Sequence, residues 1–172
     1  MAKASYVRLV EYRPPGNYVE LHPVYRDAAA FRELIADLAA AVERFRPDVI
    51  LGVESQGYIL AGAAAAALAR PFVQIQKWSG RPKLPSHTRR TCDYSKEWKQ
   101  LGVRKGSLSP GDRCVIVDDW IETGAQIECA MELVARAGGD VVGVVVFHAD
   151  DGPLARQLEQ DGRLIALDRA GD

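Results

Sequence analysis

Two adjacent carboxylates, Asp118 and Asp119, follow the apolar run 114–117 and precede a Thr-Gly turn. Thr123, Gly124 and Ala125 have small side chains, so backbone N–H groups in this turn are able to close around an anion. A helix is predicted to begin here, and its unpaired N–H groups and its dipole both favour negative charge. The pattern therefore predicts a binding site for one terminal phosphate.

The acid pair needs a partner, because neighbouring negative charges repel each other. Carboxylates accept hydrogen bonds from vicinal hydroxyls and bind hard divalent cations. A diol beside a phosphate describes a ribose 5-phosphate. Neither G-x-x-x-x-G-K-[ST] nor G-x-G-x-x-G occurs in the chain, which argues against a P-loop and a dinucleotide site. Two structural alternatives stay open: strand-end and capping acids at 118–119, and a plain helix N-cap at Thr123.

Hydrophobic spacing places these residues on an alternating set of strands and helices. Apolar runs predict strands at 48–53, 71–76, 113–117, 140–148 and 163–167. Helices are predicted at 28–45, with Asp27 as N-cap, and at 58–69, 125–137 and 152–160. The alternation predicts an α/β fold with a central parallel sheet flanked by helices. Ligands bind at the carboxyl ends of such strands, where the loops 54–57 and 118–126 are expected to meet.

The polar stretch 77–112 is predicted to be a functional lid arm. From Lys77 to Arg113 there are ten Lys or Arg and three Asp or Glu residues. This excess fits a solvated loop, a site for a highly charged small anion, or a nucleic-acid surface. The absence of an aromatic-basic motif argues against nucleic acid.

Chain length, net charge and cysteine content limit which other classes of function are possible. The 172 residues predict a single domain, 1–172, and a net charge of −1 favours neither polyanions nor membrane surfaces. Three dispersed cysteines and the lack of a signal peptide or of a 20-residue apolar run predict a cytoplasmic protein without membrane contact.

The motif "VIVDDWIETGAQ" resembles the phosphoribosyl-pyrophosphate (PRPP) motif of type I phosphoribosyltransferases, and the chain is most similar to the adenine-specific members. The run "DVILGVESQGYILAGAAAAALARPFVQIQK" resembles their pyrophosphate loop with its flanking elements. "KLPS" and "DYSKEWK" resemble their lid, and residues 14–26 resemble their small N-terminal base-covering segment. The resemblance implies a Rossmann-like type I phosphoribosyltransferase fold and a homodimer.

The same resemblance implies a pentosyltransferase that moves the 5-phosphoribosyl group of PRPP to a purine-like base, releases pyrophosphate and uses Mg²⁺. It assigns PRPP to Asp118, Asp119, Glu122, Thr123, Gly124, Ala125 and Gln126. It assigns the pyrophosphate to Glu54, Ser55, Gln56, Gly57, Lys77 and Lys83. The implied catalytic residues are Glu97, Glu122 and Asp119, the base contacts are Tyr18, Val19 and Trp120, and Asp118 and Asp119 orient Mg²⁺, directly or indirectly.

Several positions depart from the family pattern. Gln56 replaces the arginine of a Ser-Arg-Gly loop, Gln76 replaces a second arginine, and Ala125-Gln126 replaces Gly-Thr in the phosphate loop. "GNYVEL" replaces a "GVLFRD" pattern in the base-covering segment. Because charge-assisted bonds are about twice as strong as neutral ones, the pyrophosphate site is expected to be weaker. An alternative function is therefore a catalytically degenerate PRPP- or nucleotide-binding regulatory protein.

Two side chains have both a structural and a chemical interpretation. Glu122 is either a solvated helix N-terminal acid or an acid that assists the incoming base. Trp120 is either a stacking platform for the base or a packing residue.

Overall fold

A computed structural model describes residues 4–13, 18–77, 86–92 and 98–169; the side chains of residues 13, 18, 86, 92, 98 and 169 are outside this description. Lys83 and Glu97 lie outside the described residues, as does the side chain of Tyr18. The predictions made for these three residues therefore stay predictions.

The described elements follow one another in an α/β order, after a 3-10 turn at Ser5–Leu9. The strands are β1 (Glu11–Arg13), β2 (Tyr18–Glu20), β3 (Val49–Val53), β4 (Phe72–Lys77), β5 (Ser86–Cys92), β6 (Trp98–Arg104), β7 (Arg113–Ile121), β8 (Asp140–Ala149) and β9 (Leu164–Arg169). The helices are α1 (His22–Arg26), α2 (Ala28–Glu43), α3 (Gln56–Leu68), α4 (Ala125–Arg136) and α5 (Pro153–Gln160). None of these helices has the length and apolar character that a membrane span requires.

The central sheet has the strand order β5-β6-β4-β3-β7-β8-β9, and β1 and β2 form a separate antiparallel pair. Strands β4, β3, β7, β8 and β9 pair in parallel, as predicted. Strand β6 pairs antiparallel with both β4 and β5. The stretch predicted as an arm thus contributes two strands that extend the sheet.

Both faces of the parallel strands are buried. Along β3, Val49, Leu51 and Val53 belong to one core cluster and Ile50 to the other. Because strand side chains alternate between faces, each cluster lies on one side of the sheet. Residues of α4 and α5 belong to the first cluster and residues of α2 and α3 to the second. This two-sided burial explains the near-continuous apolar runs in the sequence.

Strand β7 extends four residues beyond the predicted end at 117. Its ladder with β8 continues through the pairs Asp118 with Val146 and Trp120 with His148. The two acids therefore lie inside a strand, not after it. The neighbouring strand β8 supplies backbone hydrogen-bond partners for these residues, and their polar side chains in the sequence give no sign of this pairing.

Candidate active site

A cavity of about 170 Å³ lies at the carboxyl ends of β3, β4 and β7. Its lining combines the two loops that the sequence places at this edge with the end of β4. The lining residues are Glu54, Ser55, Gln56, Lys77, Lys99, Asp118, Asp119, Trp120, Ile121, Glu122, Thr123, Gly124, Gln126 and Ile127. The predicted phosphate, ribose and pyrophosphate segments therefore share one cavity, although Gly57 and Ala125 are not among the residues that line it.

Asp118 is the most deeply buried acid of this cavity, with 2% of its surface exposed. Its Oδ1 accepts a hydrogen bond from the backbone N–H of Asp119 at 3.0 Å. Its Oδ2 accepts a hydrogen bond from the Gln126 side-chain amide, also at 3.0 Å. Burial raises the pKa of Asp118 well above its ordinary value, and the adjacent charge of Asp119 adds to this rise.

Asp119 is half-buried beside it. Burial raises the pKa of Asp119 as well, while hydrogen bonds and the positive charge of Lys77 oppose that rise. Two adjacent carboxylates with raised pKa values are the arrangement that a bound diol or cation stabilises, because a diol donates hydrogen bonds to them and a cation supplies opposite charge.

The turn before α4 has the geometry of an anion site at a helix N-terminus. Gly124 has φ = +84°, a left-handed conformation that glycine adopts without strain. Ala125 is the first residue of α4 and does not have a positive φ, so its Cβ causes no strain there. The backbone N–H of Ala125 donates to Thr123 Oγ1 at 3.4 Å. The N-cap of α4 is Gly124, which has no side-chain capping bond, so the alternative that placed the N-cap at Thr123 is wrong by one residue. Thr123 contacts the first N–H of the helix from just outside it.

The loop after β3 contacts β7 closely. A Cβ added to Gly57 would lie 2.7 Å from Asp118 Oδ1 and 2.9 Å from the carbonyl oxygen of Val117. Glycine at this position therefore permits the start of α3 to reach the acid. The peptide bond between Glu54 and Ser55 is cis, and Glu54 Oε2 accepts the backbone N–H of Lys77 at 2.6 Å. This last bond joins the loop to the end of β4.

Some predicted residues do not line this cavity. Val19 is 2% exposed and packs in the cluster that contains α2 and α3. Its side chain therefore has little free surface for a base. Gln76, which replaces a family arginine, donates from Nε2 to Gln74 Oε1 at 2.9 Å and is not part of the lining.

Lys99 lines the cavity but was not among the predicted site residues. It lies on β6, which pairs with β5 and with β4. The antiparallel register of β6 brings Lys99 to the site, and the sequence gives no signal for that register. Trp120 lines the cavity and also packs against the core, so both interpretations of this residue have support.

The charges around the cavity favour a cation. Among the described lining residues, Glu54, Asp118, Asp119 and Glu122 are acids, and Lys77 and Lys99 are bases. In the part of the chain that the structure describes, no three His, Cys, Asp or Glu side chains gather as a complete metal site. A hard divalent ion fits these carboxylates only if a ligand supplies further oxygen atoms.

Comparisons with known proteins agree with this geometry. The family profile described as "Phosphoribosyl transferase domain" matches residues 20–165. The chain is similar to the adenine phosphoribosyltransferase of Nitrosomonas europaea, with 31% identity over 97% of each chain. The Sorangium cellulosum enzyme of the same name is 34% identical over 99% of this chain and 81% of its own length. A crystal structure of adenine phosphoribosyltransferase from Thermoanaerobacter pseudethanolicus superimposes with a TM-score of 0.85 at 26% identity, covering 96% of this chain and 98% of that one. These matches confirm the predicted fold.

Proposed function

Because the chain belongs to the phosphoribosyltransferase family, we propose that it transfers the 5-phosphoribosyl group of PRPP to adenine or a closely similar purine, with release of pyrophosphate. The observation that carries this proposal is the single cavity shared by the acid pair, the turn before α4 and the loop after β3. PRPP carries a terminal phosphate, a ribose diol and a pyrophosphate. Its binding site therefore needs one protein group for each of the three, next to one another.

In this assignment the backbone from Glu122 to Gln126 holds the 5-phosphate at the N-terminus of α4. Asp118 and Asp119 accept hydrogen bonds from the ribose hydroxyls. The loop from Glu54 to Gly57 receives the pyrophosphate, with positive charge from Lys77 and, outside the described residues, Lys83. Lys99 adds a further positive charge near this end of the cavity.

Departure of pyrophosphate leaves an electron-poor carbon at C1 of the sugar. The Asp118 and Asp119 carboxylates, which we assign to the ribose hydroxyls, would favour this developing positive charge. The attacking base nitrogen must lose a proton, and Glu122 is the lining acid that we assign to accept it. Glu97 is proposed to act near the same carbon, and Trp120 to contact the base.

Mg²⁺ is the cofactor we propose. Acids outnumber bases in the cavity lining, and the described residues do not form a complete metal site by themselves. Both observations suit an ion that binds together with PRPP. When bound, it would neutralise charge on the pyrophosphate leaving group. Asp118 and Asp119 would orient it, directly or through water.

A panel of nucleobases tests the reaction. Purified protein with PRPP and Mg²⁺ is expected to release pyrophosphate with adenine, and much more slowly with hypoxanthine, guanine or uracil. Tight PRPP binding by calorimetry without turnover on any base would favour the regulatory alternative, which the loss of an arginine at Gln56 motivates. If PRPP and nucleotides do not bind at all, both functions are refuted.

We also propose a homodimer in the cytoplasm. The dimer follows from the family resemblance, and sedimentation velocity is expected to give twice the chain mass at micromolar concentration; a single species of one chain mass would refute it. Cys114 and Cys129 are buried free thiols, which agrees with a reducing compartment.

A further inference from the structure

Gln126 stands where the family pattern has threonine. Its side chain contacts Asp118, the acid proposed to bind the ribose, instead of facing only the phosphate loop. It is the second residue of α4, and its Nε2 lies 3.0 Å from Asp118 Oδ2. Side chains on a helix tilt toward its N-terminus, which here is the direction of the end of β7. Glutamine is long enough to cross this distance. Threonine, whose hydroxyl is two bonds closer to the backbone, would stay beside the turn.

The Asp118 carboxylate is held on three sides. Asp119 N–H binds Oδ1, Gln126 binds Oδ2, and the backbone of Gly57 lies against the Oδ1 side with no room for a Cβ. Among the residues that the structure describes, two groups donate hydrogen bonds to the Asp118 carboxylate. One is the backbone N–H of Asp119, and the other is the side-chain amide of Gln126. A buried carboxylate oxygen that loses its donor must rotate or take water, and either change alters its direction toward a ligand.

We propose that Gln126 is a positioning residue that fixes the Asp118 carboxylate for the ribose hydroxyls of PRPP. The inference rests on the proposed function, because it assigns Gln126 a role within that same site. The family's threonine offers a hydroxyl near the phosphate; this chain uses the position to orient the sugar-binding acid.

One hydrogen bond therefore joins the two halves of the sugar-phosphate site. The first turn of α4, where the 5-phosphate is proposed to bind, is connected through Gln126 to the acid that accepts the ribose hydroxyls. Loss of this bond is expected to weaken recognition of the ribose while the backbone donors of the turn remain in place.

A double-mutant cycle on Gln126→Ala and Asp118→Ala tests the proposal, with PRPP affinity measured by calorimetry in the presence of Mg²⁺. Gln126→Ala alone is expected to weaken PRPP binding roughly tenfold to a hundredfold, the range for one hydrogen bond to a charged group. In the Asp118→Ala background the same change is expected to have less than about a threefold effect, because the carboxylate that Gln126 holds is absent. Gln157→Ala, an exposed change on α5, is the matched control.

Gln126→Thr separates positioning from direct phosphate contact. Threonine restores the family's hydroxyl but does not reach Asp118, so kcat is expected to fall as far as in Gln126→Ala, with the KM for the base unchanged. Wild-type rates in Gln126→Thr, or additive effects in the cycle, would overturn the proposal while leaving the function intact. A wild-type protein that does not bind PRPP would refute the function itself, and with it this inference.

Discussion

Asp118→Asn is expected to impair phosphoribosyl transfer strongly and, at the same time, to stabilise the folded protein. Asp118 is 2% exposed, and among the residues that the structure describes, hydrogen bonds from Asp119 N–H and Gln126 stabilise its carboxylate. Asparagine keeps the shape, and a flip of the Gln126 amide restores a hydrogen bond. Removal of the buried charge should raise the free energy of unfolding at pH 7.5 by about 1 kcal/mol, whereas kcat/KM for PRPP should fall about a hundredfold or more.

The gain in stability is expected to depend on pH. An unfolded chain ionises Asp118 near its ordinary pKa of 3.8, but burial moves ionisation of the folded protein to higher pH. Between those two values the unfolded state releases its proton first, so the stability of the wild type falls as pH rises through this window. Asparagine does not titrate. The difference in Tm between variant and wild type should therefore be small at pH 4 and largest at pH 8.

Differential scanning calorimetry from pH 4 to pH 8, without PRPP or Mg²⁺, measures this difference. Asp161→Asn is the matched control, since it makes the same chemical change at an exposed residue, where shifts within about 0.5 kcal/mol are normal. A destabilised Asp118→Asn protein would show that the carboxylate serves the fold. Retained turnover would show that it does not serve the reaction.

Gly57→Ala is expected to move the loop after β3 away from Asp118, the acid proposed to bind the ribose. The added Cβ would lie 2.7 Å from Asp118 Oδ1 and 2.9 Å from the Val117 carbonyl oxygen, and the latter is backbone of a central strand. The start of α3 must then move away from β7. Overpacking of this kind costs about 1–3 kcal/mol, and a displacement near 1 Å at a reacting site lowers the rate about a hundredfold. Chemical denaturation and initial-rate kinetics measure the two effects.

Gly62→Ala provides the control in the same helix. No heavy atom lies within 4 Å of a Cβ added at Gly62, so the substitution meets no steric obstacle. An alanine at a helix-interior glycine is expected to stabilise the protein by about 0.5–1 kcal/mol and to leave the rate unchanged. Normal kinetics in Gly57→Ala would mean that the close approach of α3 is unnecessary for the reaction.

Much of the scaffold is predictable because its physical causes are local. Asp27 was predicted as the N-cap of the first long helix, and its carboxylate accepts the backbone N–H groups of Ala29 and Ala30, each at 2.9 Å. The parallel strands are apolar on both faces, which makes them visible as runs. The meeting of the two loops then follows from the rule that strand carboxyl ends lie at one edge of the sheet.

The rest depends on contacts between segments far apart in sequence. The sequence predicts β5 and β6 as polar loop, because "SHTRRTC" and "WKQLGVR" lack a continuous apolar run. They are strands because they pair with each other and because β6 pairs with β4. For the same reason Lys99 was not placed at the site. The bond from Gln126 to Asp118 depends on where the first turn of α4 stands relative to the end of β7, which residue types alone do not determine.

The β5–β6 hairpin has a consequence for self-association of the protein. Without it, the end of β4 at Gln76 and Lys77, which pairs with β6, would lie at the edge of the sheet. Strand β5 replaces it at the edge and carries Arg89 and Arg90. Arg89 forms an ion pair with Glu132 at 2.5 Å, and the Thr91 hydroxyl donates to the Ala125 carbonyl, so the edge is bound to α4. Charged, anchored edges resist pairing with other strands, so this edge of the sheet is expected to be a poor template for strands of other chains.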